Sequence, residues 1–154
     1  KFKEVPSYNL QSIKMIIGYT AGVYDLFHIG HVRLLKKAKS LCDKLIVGVS
    51  TDELVYQTKK KKPVISFEER CEVVSSCRYV DLVVPQVETN KFAYHEKLKY
   101  DLLFVGDDWY GSDRWKEYDE VAEAKNVRII YHPYTQGTSS TLINKILVET
   151  RDRI

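Results

Sequence analysis

Cysteine, proline and methionine are scarce in this sequence of 154 residues, which holds 3 Cys, 4 Pro and 1 Met. Cys42, Cys71 and Cys77 make neither an even disulfide set nor a Cys-x-x-Cys metal pair. Disulfide-stapled and zinc-stapled scaffolds are therefore excluded, and buried thiols in a reducing, cytoplasmic setting are expected. So few prolines, with only 7 glycines, rule out collagen-like and low-complexity chains. No apolar run approaches the roughly 18 residues that a membrane span needs; the longest include Leu45 to Val49 and Leu102 to Val105. Residues 1–14 carry Glu4, Pro6 and Asn9 and no apolar stretch of the signal-peptide kind, so they are expected to be an N-terminal extension before a single domain over 15–154. An excess of one charge is missing too: 24 basic and 21 acidic residues leave a formal net charge of +3, too small to argue for a nucleic-acid partner.

What is present is a strand and helix alternation. Apolar runs at Met15–Thr20, Lys44–Val49, Tyr79–Val84, Leu102–Val105 and Val127–Tyr131 are rich in Val, Ile, Leu or Tyr, and several lack polar alternation, as strands covered on both faces do. Between them, Val32–Leu41 places Leu34, Leu35, Ala38 and Leu41 on one helical stripe, and Ser66-x-x-Glu69 opens a second helix with a capping box. The pattern predicts an α/β, Rossmann-like, doubly wound five-stranded parallel sheet with helices on both faces, and a ligand site beyond the carboxyl ends of the strands.

Four segments fall at those ends. The first, Gly22-Val23-Tyr24-Asp25-Leu26-Phe27-His28-Ile29-Gly30-His31, joins a strand to a helix start, where unpaired backbone N–H groups and the helix dipole favour an anion. His28 and His31 read either as phosphate donors or as ordinary helix caps, and Gly30 lets a polyphosphate approach the backbone. With no third ligand at metal spacing, no protein-held metal is expected. The second segment carries Lys59, Lys60, Lys61 and Lys62, a run that is either a solvated face or a cover that neutralises phosphate charge. The third, Gly106-Asp107-Asp108-Trp109, suits recognition of a base amino group or a hydroxyl better than acid–base work. In the fourth, Gly137-Thr138-Ser139-Ser140-Thr141 opens the last helix, a second anion site or a plain hydroxyl cap.

Together these residues resemble the cytidylyltransferases, within the superfamily of nucleotidylyltransferases that share a His-x-Gly-His motif. His28-Ile29-Gly30-His31 matches that motif. Ser50-Thr51-Asp52-Glu53, the lysine run, Glu68-Glu69-Arg70, Arg78-Tyr79-Val80-Asp81, Gly106-Asp107-Asp108-Trp109 and Thr135-x-Gly137-x-Ser139-Ser140-Thr141 look like the short bacterial glycerol-3-phosphate cytidylyltransferases. The resemblance implies transfer of CMP from CTP to a small phosphorylated alcohol, glycerol 3-phosphate being favoured, with release of pyrophosphate. It implies catalytic roles for His28, His31, Lys59, Lys61 and Arg78. It implies nucleotide contacts from Gly22, Val23, Tyr24, Gly30, Asp108, Thr135, Gly137, Ser139 and Ser140, and acceptor contacts from Asp25, Asp107 and Trp109. It further implies Mg²⁺ carried with CTP, no nucleic-acid or membrane partner, and a homodimer. Two departures stand out: Tyr134 occupies the place of an Arg, and Val23 that of a frequent Thr. Phosphocholine or phosphoethanolamine as acceptor, an adenylyltransferase of the same superfamily, and a nucleotide sensor without turnover are the alternatives. Asp107, Tyr110 and Ser112 can take hydroxyls, whereas Trp109, Tyr110 and Trp115 can build a cage for a cation.

Overall fold

Parallel pairing along each strand defines one five-stranded sheet in a computed structural model that describes residues 14–106, 110–133 and 137–151. The elements run β1 (Ile17–Gly22), α1 (Ile29–Lys39), β2 (Lys44–Ser50), α2 (Asp52–Lys59), α3 (Phe67–Ser75), β3 (Leu82–Gln86), a 3₁₀ turn (Lys91–Tyr94) leading into α4 (His95–Leu98), β4 (Leu102–Gly106), α5 (Asp113–Ala124), β5 (Arg128–His132) and α6 (Ser140–Arg151). The strand order is β3-β2-β1-β4-β5, with every pair parallel. The chain winds outward from β1 through β2 to β3, then returns to the other side of β1 for β4 and β5. The reversal lies between β1 and β4, the place where such sheets open a crevice.

Two apolar layers cover the sheet. On one face Leu45, Val47, Val49 and Phe104 pack against Leu35 and Ala38 of α1 and Val74 of α3. On the other, Tyr19, Ile46, Leu103 and Val105 pack with Phe92, Tyr100 and Ala122. Burial on both faces explains why the strand sequences run apolar without alternation.

Three boundaries differ from the sequence reading. Strand β1 begins at Ile17 rather than Met15, because the Asp101 carboxylate accepts the Ile17 N–H and pairing with Lys44 of β2 starts there. Tyr79 and Val80 belong to a turn, closed by the Val80 N–H on the Cys77 carbonyl, so β3 starts at Leu82. Helix α1 starts at Ile29, ahead of the apolar stripe, since His28 caps it. All three cysteines are free thiols.

One polar contact crosses the sheet. The Tyr19 hydroxyl reaches over β2 and donates to Gln86 Oε1 on β3, while Gln86 Nε2 donates to the Glu88 carbonyl. Gly48 makes this crossing possible, since a Cβ there would sit 2.3 Å from the Tyr19 hydroxyl and 2.9 Å from Gln86 Oε1. Gly48→Ala is expected to force that buried pair apart and to cost on the order of 1–3 kcal/mol; a urea midpoint within error of wild type would contradict it.

Candidate active site

The strand ends open onto a cavity of about 760 Å³, within the range usual for small-molecule sites. Its wall draws on the connections after β1, β2, β3 and β5 and on the end of β4.

After β1 the chain makes a strained turn: Tyr24 and Leu26 have φ of 57° and 49°, a region that side chains other than glycine seldom adopt. Burial secures it, because Tyr24 is 5% exposed and its ring packs 5.3 Å from that of His31. His28 then caps α1. Its Nδ1 accepts the Gly30 N–H at 3.1 Å, and His31 Nδ1 accepts the His28 N–H at 3.2 Å. An Nδ1 that accepts is unprotonated, so both neutral rings carry their hydrogen on Nε2 and keep it for the cavity that both residues line. The cap reading holds for both histidines: each cap is built with one nitrogen of the ring, and the other nitrogen is left as a donor. Burial pushes the pKa of His28 down, and burial with the neighbouring His28 pushes His31 down to about 4 against an opposing pull from Asp25.

The lysine run lies at the end of α2 rather than in a free loop. Lys59, Lys61 and Lys62 line the cavity, and Lys60 does not; it forms the left-handed C-cap of α2. At the far end of the chain, Ser139 Oγ accepts the Leu142 N–H and so caps α6, while Ser140 Oγ donates to the Asp25 carbonyl. Thr138, Ser139, Ser140, Thr141 and Asn144 face the cavity from there. Gly22, Val23, Tyr24 and Gly30 line it as the sequence led us to expect.

Two expected residues have other partners or another place. Asp25 lines the cavity, and its carboxylate also accepts the N–H groups of Val64 at 2.8 Å and Ile65 at 2.9 Å, which ties the segment behind the lysines to this turn. Arg78 is exposed and precedes β3, at the end of the sheet opposite the cavity. Its motif serves strand entry there, with Asp81 accepting the Leu45 N–H and pairing with Lys39. Asp107, Asp108, Trp109 and Thr135 lie outside the described residues, and the structure says of Gly137 that its φ is 102°, a glycine conformation.

The sequence reading passed over several residues. Arg70 is 1% exposed and donates to Val23, Ser50 and Ile65 carbonyls and to Asp52, fixing the start of the β1–α1 turn. Its place on the inward stripe of α3, between Phe67 and Val74, was the available signal. Gln86, Glu88, Thr89, Lys91, Arg114, His132 and Asn144 also line the cavity. His132 was missed because β5 was ended one residue early, at Tyr131. Among the described residues no group of three or more His, Cys, Asp or Glu is placed to hold a metal ion, and no helix is long and apolar enough to cross a membrane.

Comparison with known proteins agrees with this architecture. A family profile described as cytidylyltransferase-like matches residues 19–146. The chain is 42% identical over 135 residues to a glycerol-3-phosphate cytidylyltransferase of Bacillus spizizenii, covering 86% of this chain and 96% of that one. It is 39% identical over 136 residues to the enzyme of the same name from Staphylococcus aureus, covering 88% and 96%. Among solved structures, a lipopolysaccharide core biosynthesis protein from Thermoplasma volcanium superposes with a TM-score of 0.65 at 23% identity, over 81% of this chain and all of that one, a likeness of fold.

The His31 shift sets a pH dependence. The unfolded imidazole protonates near pH 6.5 and the folded one near pH 4, so between those values the unfolded state binds more protons and stability falls as the pH drops. His31→Gln keeps a capping-box acceptor without a titrating ring. It is expected to lose less stability than wild type between pH 6.5 and about 4.5, as read from urea midpoints; equal losses would contradict the assignment.

Proposed function

Since the chain belongs to the cytidylyltransferase-like family, we propose that it transfers CMP from CTP to glycerol 3-phosphate, releasing pyrophosphate and forming CDP-glycerol. The carrying observation is the convergence on one cavity of the His28 and His31 rings, Lys59, Lys61 and Lys62, and the start of α6. Donors from three sides surround a polyphosphate and leave an approach for a second phosphate.

The acceptor's phosphate oxygen attacks the α-phosphorus, a new P–O bond forms, and the bond to the β-phosphate oxygen breaks with its electrons leaving on pyrophosphate. An ionised phosphate has no proton to lose, so no general base is required. The Nε2–H groups of His28 and His31 donate to oxygens on which charge accumulates, and fixed donors of this kind reduce the barrier without reorganising. The lysines offset the repulsion between the two incoming anions, and the first turn of α6 receives the departing pyrophosphate. Mg²⁺ carried with the triphosphate would add charge neutralisation; with the Asp25 carboxylate engaged by backbone N–H groups, it would be held mainly by phosphate oxygens and water.

Residue types at the site favour glycerol phosphate over a choline ester. Tyr110, Trp115 and Tyr131 do gather, with Tyr110 centred 4.9 Å from Trp115 and 5.4 Å from Tyr131, but this cluster is not part of the cavity wall. Around the end of β3 the wall instead carries Glu88 and Thr89, groups that can take hydroxyls. A homodimer in a reducing, cytoplasmic setting completes the proposal. Exposed Leu142, Ile146, Leu147 and Val148 on α6, together with the free thiols, support it.

A pyrophosphate-release screen crossing CTP, ATP, UTP and GTP with glycerol 3-phosphate, phosphocholine and phosphoethanolamine tests the assignment. CTP with glycerol 3-phosphate is expected to give the highest specificity constant. A tenfold preference for another acceptor, about 1.4 kcal/mol in transition-state binding, would overturn that choice. His31→Ala is expected to lower kcat by about two orders of magnitude, as loss of one transition-state donor does. Lys60→Ala, at a helix cap outside the wall, should stay within about threefold of wild type. Transfer is direct, so labelled CTP should leave no label on the protein; a stable adduct on either histidine would refute this mechanism.

A further inference from the structure

His132 ends β5 as a buried group. It is 3% exposed, yet neither Nδ1 nor Nε2 has a hydrogen-bond partner among the described residues. Its ring stacks on Phe104 at 5.2 Å between centroids, and both residues belong to the cavity wall. Buried polar atoms are rarely left unpaired, because each forfeits its hydrogen bonds to water and receives nothing in return. An imidazole kept in that condition at the edge of a binding cavity has its partner in the ligand.

Its position in the sheet identifies which part of the ligand. In the order β3-β2-β1-β4-β5, the lysines follow β2 and the capping histidines follow β1, and the start of α6, although it follows β5, is bonded to the turn after β1 through Ser140 and the Asp25 carbonyl, so the phosphate donors gather over β2 and β1. From β4 and β5 the wall receives Phe104, Val105, Gly106, His132 and Pro133, which bear no fixed charge; the cation on that side, Arg114, comes from the first turn of α5. Gly106 is paired with His132 in the strand register and sets no side chain beside the ring. Burial and the Lys37 ammonium both hold the His132 pKa below the usual histidine value, which keeps the ring neutral near pH 7. A neutral imidazole carries one donor and one acceptor. Phosphate oxygens use donors alone, whereas the edge of a nucleobase presents amino donors beside carbonyl and ring-nitrogen acceptors.

We propose that His132 hydrogen-bonds the nucleobase of the bound nucleoside triphosphate and thereby contributes to the choice of nucleotide. The proposal rests on the nucleotidyl-transfer reading above and adds a specificity residue to it.

The test compares wild type with His132→Leu, which fills a similar space without polar atoms, and with His132→Asn, which restores a donor and an acceptor. For His132→Leu, KM for CTP is expected to rise about tenfold with kcat within about threefold, the range for losing one hydrogen bond in a desolvated site. The ratio of specificity constants for CTP and UTP should shift by at least about fivefold, and His132→Asn should recover part of both changes. Competitive inhibition by pyrophosphate, which occupies the phosphate half alone, should be unchanged. A KM within twofold of wild type and an unaltered CTP to UTP ratio would overturn the proposal, as would pyrophosphate inhibition that weakens in parallel. Should His132→Leu fail to fold, ring ¹⁵N spectra of the wild-type protein decide the matter. CTP should move the His132 nitrogens where pyrophosphate does not, and equal spectra with the two ligands would overturn the assignment. A wild type that turns over no nucleotide refutes the parent function instead, and one that prefers ATP moves the same comparison to ATP.

Discussion

A polar clamp centred on Val23 and Asp25 holds together the segments that wall the cavity. Arg70 donates to the Val23 carbonyl at 2.6 Å, to the Ser50 carbonyl at 2.8 Å and to the Ile65 carbonyl at 3.0 Å, and it pairs with Asp52 at 2.6 Å. Two residues on, the Asp25 carboxylate receives the Val64 and Ile65 N–H groups, and its carbonyl receives the Ser140 hydroxyl. The connection after β1, the segment carrying the lysines and the start of α6 are therefore bonded to one short turn, although Asp25 and Ser140 are 115 residues apart. Burying a guanidinium at 1% exposure carries a large desolvation cost, and it is offset here only because four of its N–H directions meet acceptors. Removing one partner would leave a charge or a carbonyl stranded, so the clamp holds as a unit.

At both helix ends facing the cavity, the side chains that cap the helix also line the cavity wall. Serine and threonine cap α3 and α2 in the ordinary manner, Ser66 accepting the Glu69 N–H and Thr51 the Leu54 N–H. At α1 a histidine does so, and imidazole differs from a hydroxyl in having a second, oppositely directed nitrogen. Capping through Nδ1 fixes the ring and its tautomer, which aims the Nε2–H without further support. The cost of ordering the donor is met during folding rather than during the reaction, the condition under which a donor stabilises a transition state most.

The sequence made the architecture legible because apolar runs alternated with helical stripes, and the His28-Ile29-Gly30-His31 and Gly137–Thr141 segments sat where strand ends require a ligand site. What it did not reveal depends on contacts between distant residues. Asp25 reads as a free carboxylate until its bonds to Val64 and Ile65 are seen, 39 and 40 positions away. Arg78 is eight residues from Arg70 in a similar local setting, yet a turn sends one to the far end of the sheet and the helix stripe draws the other beneath the site. His132 is separated from the apolar run of β5 by nothing but its polarity, and a strand's last residue is where pattern reading is least exact.

Lowered histidine pKa values suit a site that must be empty for part of its cycle. Four lysines already face the cavity, and two imidazolium rings with centroids 4.0 Å apart would add a repulsion of several kcal/mol at a protein-like dielectric. Neutral rings avoid it and still donate through Nε2. Protonation would also place a hydrogen on each Nδ1, the atom that accepts the Gly30 or the His28 N–H, and so would break both cap bonds. The burial that lowers the two pKa values therefore keeps the caps and the outward Nε2–H groups together in the same neutral rings.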